Sequence, residues 1–413
     1  MARRLLPTLL LSLTALLGLL PAAQAAPADP EPTTGPARPD DPYPTAEEID
    51  RARAEADRTA ASVTAIEAGL TAARAELDRA GRSAEQAVEA YNGAQLALAR
   101  ARTEEAAAGR RATAAEAERS EAAADAAQLA AETYRQGAGA ELSALNALLG
   151  ARGPREAGDR AAVVGVASER TRQILDAATS TAAAATRAAA AARTATEAAE
   201  KAATEVGAAK TRAEARLAAQ QGAVVAADRR REQLLTDLAA ARHTTVDLER
   251  RRSEALEATA VREAEAAAEK AAAAEAAAKD TQAAPPADRP WSAEGAAAAI
   301  AFARSKIGLP YIWGGEGPAG YDCSGLTMMA WQEGGRQLNH FAADQYAQST
   351  PISYRQLRPG DLVFWTGTGR AADIYHVGLY IGDDQMIEAP RVGMPVKQAS
   401  LWIMGTPDFY ARP

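Results

Sequence analysis

DIYHVGLYIGDDQMIEAP, Asp373 to Pro390, alternates on both sides of a turn at Gly382-Asp383-Asp384. Period-two alternation around such a turn predicts two antiparallel strands. In the first strand Tyr375, Val377, Leu379 and Ile381 take one face, and His376, Gly378 and Tyr380 take the other. With the hairpin centred on Gly382, His376 lies across from Glu388, which shares a face with Met386. An acid opposite a histidine can accept its second N–H, fix its tautomer and support the imidazolium form. The plainer alternative is a solvent-facing Glu388 on an edge strand. Between Ile387 and Ala389, however, a carboxylate without a partner would be an expensive half-buried charge. Gly378 leaves room beside the imidazole for something to approach closely.

Upstream, YDCSGL (Tyr321–Leu326) holds Cys323, the only cysteine among 413 residues. One cysteine makes no disulfide within a chain, so the sulfur needs another explanation. Leu326, Met329 and Ala330 form a helical stripe, which places Cys323 at or near a helix N-terminus with Asp322 able to cap it. Unpaired N–H groups and the helix dipole favour an anion there and offer donors for developing oxygen charge. A buried apolar filler is the competing reading, but such a residue gains nothing from that placement. A nucleophilic thiol also needs a base, and only His243, His340 and His376 are available. His243 falls in a helical tract and reads as a surface residue. His340, in GGRQLNHFAAD, lies in a loop before a short helix and is a candidate substrate contact. His376 alone has a strand and an acid to orient it.

RPGDLVFW (Arg358–Trp365) reads as a tight turn feeding a buried strand, with Asp361 as a turn cap. This part of the chain has one cysteine and two histidines at no zinc-like spacing. It has no phosphate-binding or dinucleotide fingerprint either. Neither a metal nor a cofactor is expected.

Aromatic residues divide the chain. All five Trp, all four Phe and seven of the ten Tyr lie from Trp291 onward. The preceding part is dominated by Ala, Glu and Arg, a composition that favours long helices over a globular core. Residues 1–25 read as an export signal: Arg3 and Arg4, the apolar run Leu5–Leu20, and Ala23-Gln24-Ala25 for cleavage. Residues 26–46 are a Pro-rich, polar leader expected to lack fixed structure. From Ile49 a seven-residue period begins: Ile49, Ala56, Val63, Leu70, Leu77, Ala84, Tyr91 and Leu98 share one position, and Ala52, Thr59, Ile66, Ala73, Ala80, Ala87 and Ala94 the second. That is the seam of a coiled coil, although its many alanines bury little area per layer.

Glycines and Pro154 interrupt the pattern near 137–159, where LSALNALL (Leu142–Leu149) suits a short apolar helix at a tip. A second helical tract follows from Arg160 to about Lys279, with Ile174, Leu175, Leu217, Leu234, Leu235, Leu238 and Leu248 as its stripe. An antiparallel coiled-coil hairpin over 47–279 is expected, with an intermolecular parallel dimer as the rival. Glu263–Lys279 could stand as a single stiff helix. A Pro-containing linker, 280–290, leads to a domain over 291–413. The formal charge is −8, with basic and acidic residues interspersed along the helices. That disfavours nucleic acid as a partner.

Together, LPYIWGGEGPAGYDCSGL, RPGDLVFW and HVGLYIGDDQMIEAP resemble, in order and spacing, the NlpC/P60 family of cysteine peptidases, and the secreted actinobacterial branch in particular. The resemblance implies a papain-like α+β fold with an antiparallel sheet. It implies Cys323 as nucleophile, His376 as base and Glu388, where many members have His, as orienting residue. By the same resemblance Tyr311, Asp322 and Ser324 line the cleft near the oxyanion, and Trp313, His340 and Gly378 are candidate substrate contacts. The implied substrate is a peptidoglycan stem peptide, cut between D-Glu and diaminopimelate. The helical part resembles the coiled coils of division-associated wall hydrolases, which implies a membrane division complex as partner and restraint of the catalytic domain. The helices or the linker are therefore expected to cover the Cys323 cleft. LNHFA (Leu338–Ala342) departs from the family's usual stretch before Gln345. The alternative is a secreted scaffold whose terminal domain only binds wall peptides.

Overall fold

The structure, a computed structural model, describes residues 46–135, 150, 152–279 and 292–413. The expected signal, nearly all of the leader, the linker and most of the tip lie outside the described residues. Contacts divide the chain into two units, up to Ala60 and from Ala61 onward. The described part of the first is only the opening of helix α1 (Ala46–Arg135). Everything below concerns the second.

Alanine, arginine and glutamate without an internal proline carry α1 unbroken through Arg135. Helix α2 (Pro154–Arg242) starts on a proline, whose missing N–H costs nothing in a first turn. The tract expected to run on to Lys279 breaks after Arg242, and α3 begins at Val246. His243 takes a left-handed conformation with φ 54°. Thr245 Oγ1 then accepts the Leu248 N–H at 3.2 Å, the local competition by which threonine ends one helix and starts another. Arg242 locks the corner, donating to Glu67 at 2.6 Å and to Glu249 at 2.8 Å.

Contacts between α1 and α2 run in opposite chain directions: Glu67 meets Arg242, and Gly69 faces Leu234. Helix α3 turns back along α2 through the Arg250–Glu232 and Arg231–Glu254 pairs and reaches α1 through Arg74–Glu257. Leu234, Leu235 and Leu238 of the expected stripe are buried, whereas Leu175 and Leu248 are exposed. No helix among the described residues is long and apolar enough to cross a membrane.

The last part is an α+β domain. Its antiparallel sheet has the order β1-β6-β2-β3-β4-β5, with β1 Thr350–Ile352, β2 Leu362–Thr366, β3 Ile374–Gly382, β4 Gln385–Glu388, β5 Lys397–Ser400 and β6 Phe409–Arg412. Helices α4 (Ala293–Ser305), α5 (Cys323–Glu333) and α6 (Ala342–Ala347) supply the other layer. Leu326, Trp331, Phe364, Val377, Leu379 and Ile387 form the main core. A second cluster of Val363, Trp365, Tyr375, Met386 and Trp402 is closed by Ala268 and Ala272 of α3. Thr406 adds a hydrogen bond to the Ala268 carbonyl at 2.9 Å. The stretch expected to stand as a single helix is therefore packed on the α+β domain. Its alanines permit the close approach and carry no distinctive sequence signal.

The hairpin differs in detail from the expected register. Asp383 and Asp384 both have positive φ, 51° and 50°, making a tight two-residue turn. The turn pairs Gly382 with Gln385, and a register shift at Ile381 then pairs Tyr380 with Met386 and Leu379 with Ile387, so His376 and Glu388 are diagonal neighbours rather than opposite ones. On the other edge Trp365 pairs with His376 and Thr366 with Ile374. Tyr375 is the extra residue of a bulge, which shifts it into the second cluster, away from the face of Val377. Asp361 caps its turn as expected, accepting the Arg358 N–H at 2.7 Å, and it also binds Arg412 through both oxygens at 2.9 and 2.8 Å.

Candidate active site

Cys323 is the first residue of α5, and Asp322 Oδ1 caps that helix by accepting the Gly325 N–H at 2.7 Å. Asp322 Oδ2 takes the Gly314 N–H at 3.0 Å, tying the glycine loop to the helix start. The helix packs against β3, where the Val377 backbone slightly offsets the rise in the Cys323 thiol's proton affinity. The thiol is thus set beside the residue that follows His376. Across the sheet His376 Nε2 lies 2.9 Å from Glu388 Oε2. Glu388 pairs with Lys397 of β5, whose Nζ is 3.5 Å from Oε1. β4 is therefore an inner strand, and the edge-strand alternative for Glu388 does not hold. His376 Nδ1 is buried without a hydrogen-bond partner.

Helix α1 runs over this site. Glu89 Oε1 accepts the Ser324 hydroxyl at 2.6 Å and lies 3.6 Å from Cys323 Sγ. Its Oε2 accepts the Ala342 N–H at 2.6 Å. Asn92 donates to Asp322 Oδ2 at 3.2 Å. One turn before Glu89, Glu85 Oε2 stands 4.0 Å from His376 Nδ1. Residues four apart on a helix are ~5–6 Å neighbours, so a single helical face covers the sulfur and the imidazole together. Tyr91 packs edge-on against Trp313 at 4.9 Å. Cys323, His376 and Glu388 are each 2 % exposed or less.

Burial gives these groups unusual proton affinities. The Glu85 carboxyl is pushed up to about 7 by burial, only partly offset by His376. Glu89 is also raised, by burial and then by Asp322, against the bonds from Ser324 and Ala342. Cys323 is raised well above the ordinary thiol range, by burial first and then by Glu89, Asp322 and Glu85. The helix start was expected to favour a thiolate, and in this covered state the sulfur keeps its proton. Burial would lower His376, but Glu388 and then Glu85 outweigh it and raise it. Glu388 is lowered by His376 and Lys397 despite its burial.

The other expected residues are placed as follows. Tyr311 is buried, Ser324 is buried as the second residue of the thiol's helix, and Trp313 Nε1 is buried without a partner. His340 is held between Asp322 and Glu316, so its ring nitrogens are not open to a substrate. Gly378 faces Met386 and Val363, at 2.7 and 3.3 Å from where a Cβ would stand, rather than offering space beside the imidazole. Glu85, Glu89, Tyr91, Asn92 and Lys397 were not anticipated. One signal was present in the sequence: GRSAEQAVEAYNG is bounded by Gly81 and Gly93, poor helix formers that let a helix approach another surface closely. A Cβ at Gly93 would lie 2.9 Å from the Phe341 ring.

A thiol at a helix start, on a helix packed against a strand whose histidine pairs with a carboxylate, is the set of groups that a cysteine-hydrolase type of site uses. Residues 308–405 match the NlpC/P60 family, and the chain carries a domain of that family. Protein P54 of Enterococcus faecium is 44% identical over 115 residues, 27% of this chain and 21% of P54. A probable endopeptidase p60 of Listeria grayi is 46% identical over 100 residues, 24% of this chain and 19% of that protein. A probable endopeptidase of Corynebacterium glutamicum is 39% identical over 119 residues, 29% of this chain and 54% of that one. The chain therefore spans about a fifth to a half of these relatives. Among solved structures, the NlpC/p60 domain of the peptidoglycan hydrolase SagA is 39% identical, with 98% of its chain and 29% of this one covered and a TM-score of 0.26.

Proposed function

We propose that the protein is an exported peptidoglycan endopeptidase that hydrolyses the amide between D-Glu and diaminopimelate in stem peptides, held inactive by α1. The observation that carries this reading is Cys323 at a helix start, against the backbone beside His376, with Glu388 fixing that imidazole. Once α1 leaves, His376 takes the thiol proton and the sulfur attacks the amide carbon. Helix-start N–H groups hold the tetrahedral oxygen. His376 then gives its proton to the departing amine, leaving a thioester on Cys323. Water attacks the thioester with His376 as base, and the free carboxylate product departs with the thiol restored. Glu388 keeps its negative charge against the imidazolium at each step.

Glu89 supports the substrate class. Its carboxylate is held by the Ser324 hydroxyl and the Ala342 N–H, so the groove offers two donors to a carboxylate beside the sulfur. A D-Glu linked through its γ-carboxyl presents a free α-carboxylate next to the scissile bond. The buried, unpartnered Trp313 N–H, covered by Tyr91, is a donor for the rest of the peptide. We take the helices as a coiled-coil hairpin that restrains the enzyme until a membrane division complex displaces it. The covered cleft is equally what a binding-only scaffold would show, and this second reading is tested alongside.

The experiment digests purified sacculi with the full mature chain, with Gly93→Leu, and with Gly93→Leu carrying Cys323→Ala. Leucine keeps α1 helical but collides with Phe341. Overpacking of about 1–3 kcal/mol should raise release of soluble muropeptides by about tenfold or more, and the double variant should release none. Equal release with and without Cys323 would defeat the thiol mechanism. Equal release by the unsubstituted chain and Gly93→Leu would defeat the restraint by α1.

A further inference from the structure

His340 is clamped between two carboxylates. Its Nε2 lies 2.6 Å from Asp322 Oδ1, and its Nδ1 lies 2.8 Å from Glu316 Oε1. The Asp322 oxygens already accept the N–H groups of Gly325 and Gly314 and the amide of Asn92. Carboxylate oxygens only accept hydrogens, so two such contacts place a hydrogen on each ring nitrogen, the imidazolium form. Asp322 is fully buried, and among the described residues His340 is the cation within ion-pair distance of it. The fit around the pair is close. A Cβ on Gly325 would stand 2.1 Å from the Gly315 carbonyl oxygen, 2.9 Å from Asp322 Oδ1 and 3.0 Å from His340 Nε2, so the glycine after Cys323-Ser324 makes space for the Gly315 backbone first and for this ion pair as well.

We infer that His340 is a positioning residue for Cys323: as an imidazolium it neutralises Asp322, holds that carboxylate on the Gly314 and Gly325 N–H groups, and shields the forming thiolate from a buried negative charge. This rests on the thiol reading above and deepens it. The charged groups facing His340 are Asp322 at the start of α5, Glu316 in the glycine loop and Glu89 of α1. Burial would lower His340, but Asp322 and then Glu316 hold it at about 9. A raised histidine keeps its charge below that value and loses it as pH rises through it. The neutralisation is therefore present across the neutral range and lost near pH 9. Asp322 itself disfavours the Cys323 thiolate, and His340 offsets it.

The test compares His340, His340→Arg and His340→Gln in the full mature chain opened by Gly93→Leu. Arginine keeps the charge and several donors, whereas glutamine keeps one donor and no charge. Iodoacetamide alkylation of Cys323 is followed against pH, together with kcat and KM on a muropeptide. His340→Gln should lower kcat at least about tenfold with little change in KM, and move the alkylation midpoint up by about one pH unit. His340→Arg should restore both. An unmoved midpoint, or arginine no better than glutamine, overturns the proposal; so does a raised KM with intact kcat, which would make His340 a substrate contact. Alkylation needs no peptide, so an absence of muropeptide hydrolysis with the alkylation order intact would sink the substrate reading and leave this one standing. Should His340→Gln fail to fold, imidazole NMR on the unsubstituted chain decides, with the signal assigned by its loss in His340→Arg. A protonated ring at pH 7 is expected, and a neutral one overturns the proposal.

Discussion

Besides Asp322, three carboxylates approach His376 or the thiol, and their surroundings give them different roles. Glu388 has the imidazole on one oxygen and Lys397 near the other, so it stays an anion and can orient a base. Glu85 has no hydrogen-bond partner on Oε2, and Glu89 spends its charge on Ser324 and a backbone N–H; both arrive on α1 and leave with it. Replacing Glu388 by Gln in the opened chain should cost about a hundredfold in kcat with KM nearly unchanged, measured by steady-state muropeptide hydrolysis. A loss below threefold would mean that Glu388 does not orient the base. The Cys-His-carboxylate set was legible in the sequence because each residue sits on a local pattern: a capped helix start, an alternating strand, an acid after a turn. The diagonal contact of His376 with Glu388 was not, because the tightness of the Asp383–Asp384 turn and the register shift at Ile381 are backbone choices that alternation does not encode. His340 was legible only as a polar residue near the site, since both of its partners come from other segments.

At the scale of elements, the segment Gly81–Gly93 of α1 is the least expected part of the site. Its heptad pattern was plain, but Glu85, Glu89 and Asn92 lie off the seam, where charge normally means a solvated face. Nothing local reports a partner 230 or more residues away in the chain. Those buried acids make the cover sensitive to pH. Glu85 titrates at about 7 when covered, against an ordinary value of 4.5. Covering the cleft therefore takes up a proton between those two values. The contribution of Glu85 to the cover is greatest below about pH 4.5, weakens as pH rises to about 7 and is constant above, because the charge is then present in both states. Glutamine imitates the protonated acid. Glu85→Gln should thus lower hydrolysis by the full chain only a few-fold at pH 5 and by about a hundredfold at pH 7.5, against the unsubstituted chain at each pH. Higher activity at pH 7.5 would show that the Glu85 charge holds the cover closed through His376 rather than loosening it.

Across the second unit as a whole, the helices touch the α+β domain at two separate places. Helix α1 lies in the cleft through polar and charged contacts, and α3 lies on the second hydrophobic cluster through Ala268 and Ala272. Arg242 joins the helices by binding Glu67 of α1 and Glu249 of α3, and Arg74 of α1 pairs with Glu257 of α3. Two contacts on one connected body reinforce each other, because while either is made the other re-forms at high effective concentration. This division into an aromatic-rich domain and Ala-rich helices was visible from composition, but the second anchor was not, since alanine reads alike on a solvated helix and on a packed one. Coupling of the anchors makes a prediction at a distance from the chemistry. Ala272 is 2 % exposed, and Ala272→Glu would force an unpaired carboxylate into that cluster, a cost large enough to free α3. Losing this anchor should raise muropeptide release by the full chain several-fold although residue 272 touches nothing in the cleft, and tryptophan emission should shift to the red as Trp365 and Trp402 meet water. Gly93→Leu added to it should give less than the product of the two separate effects, since each substitution releases the same body. A red shift without any gain in activity would mean that α1 keeps the cleft closed with α3 gone.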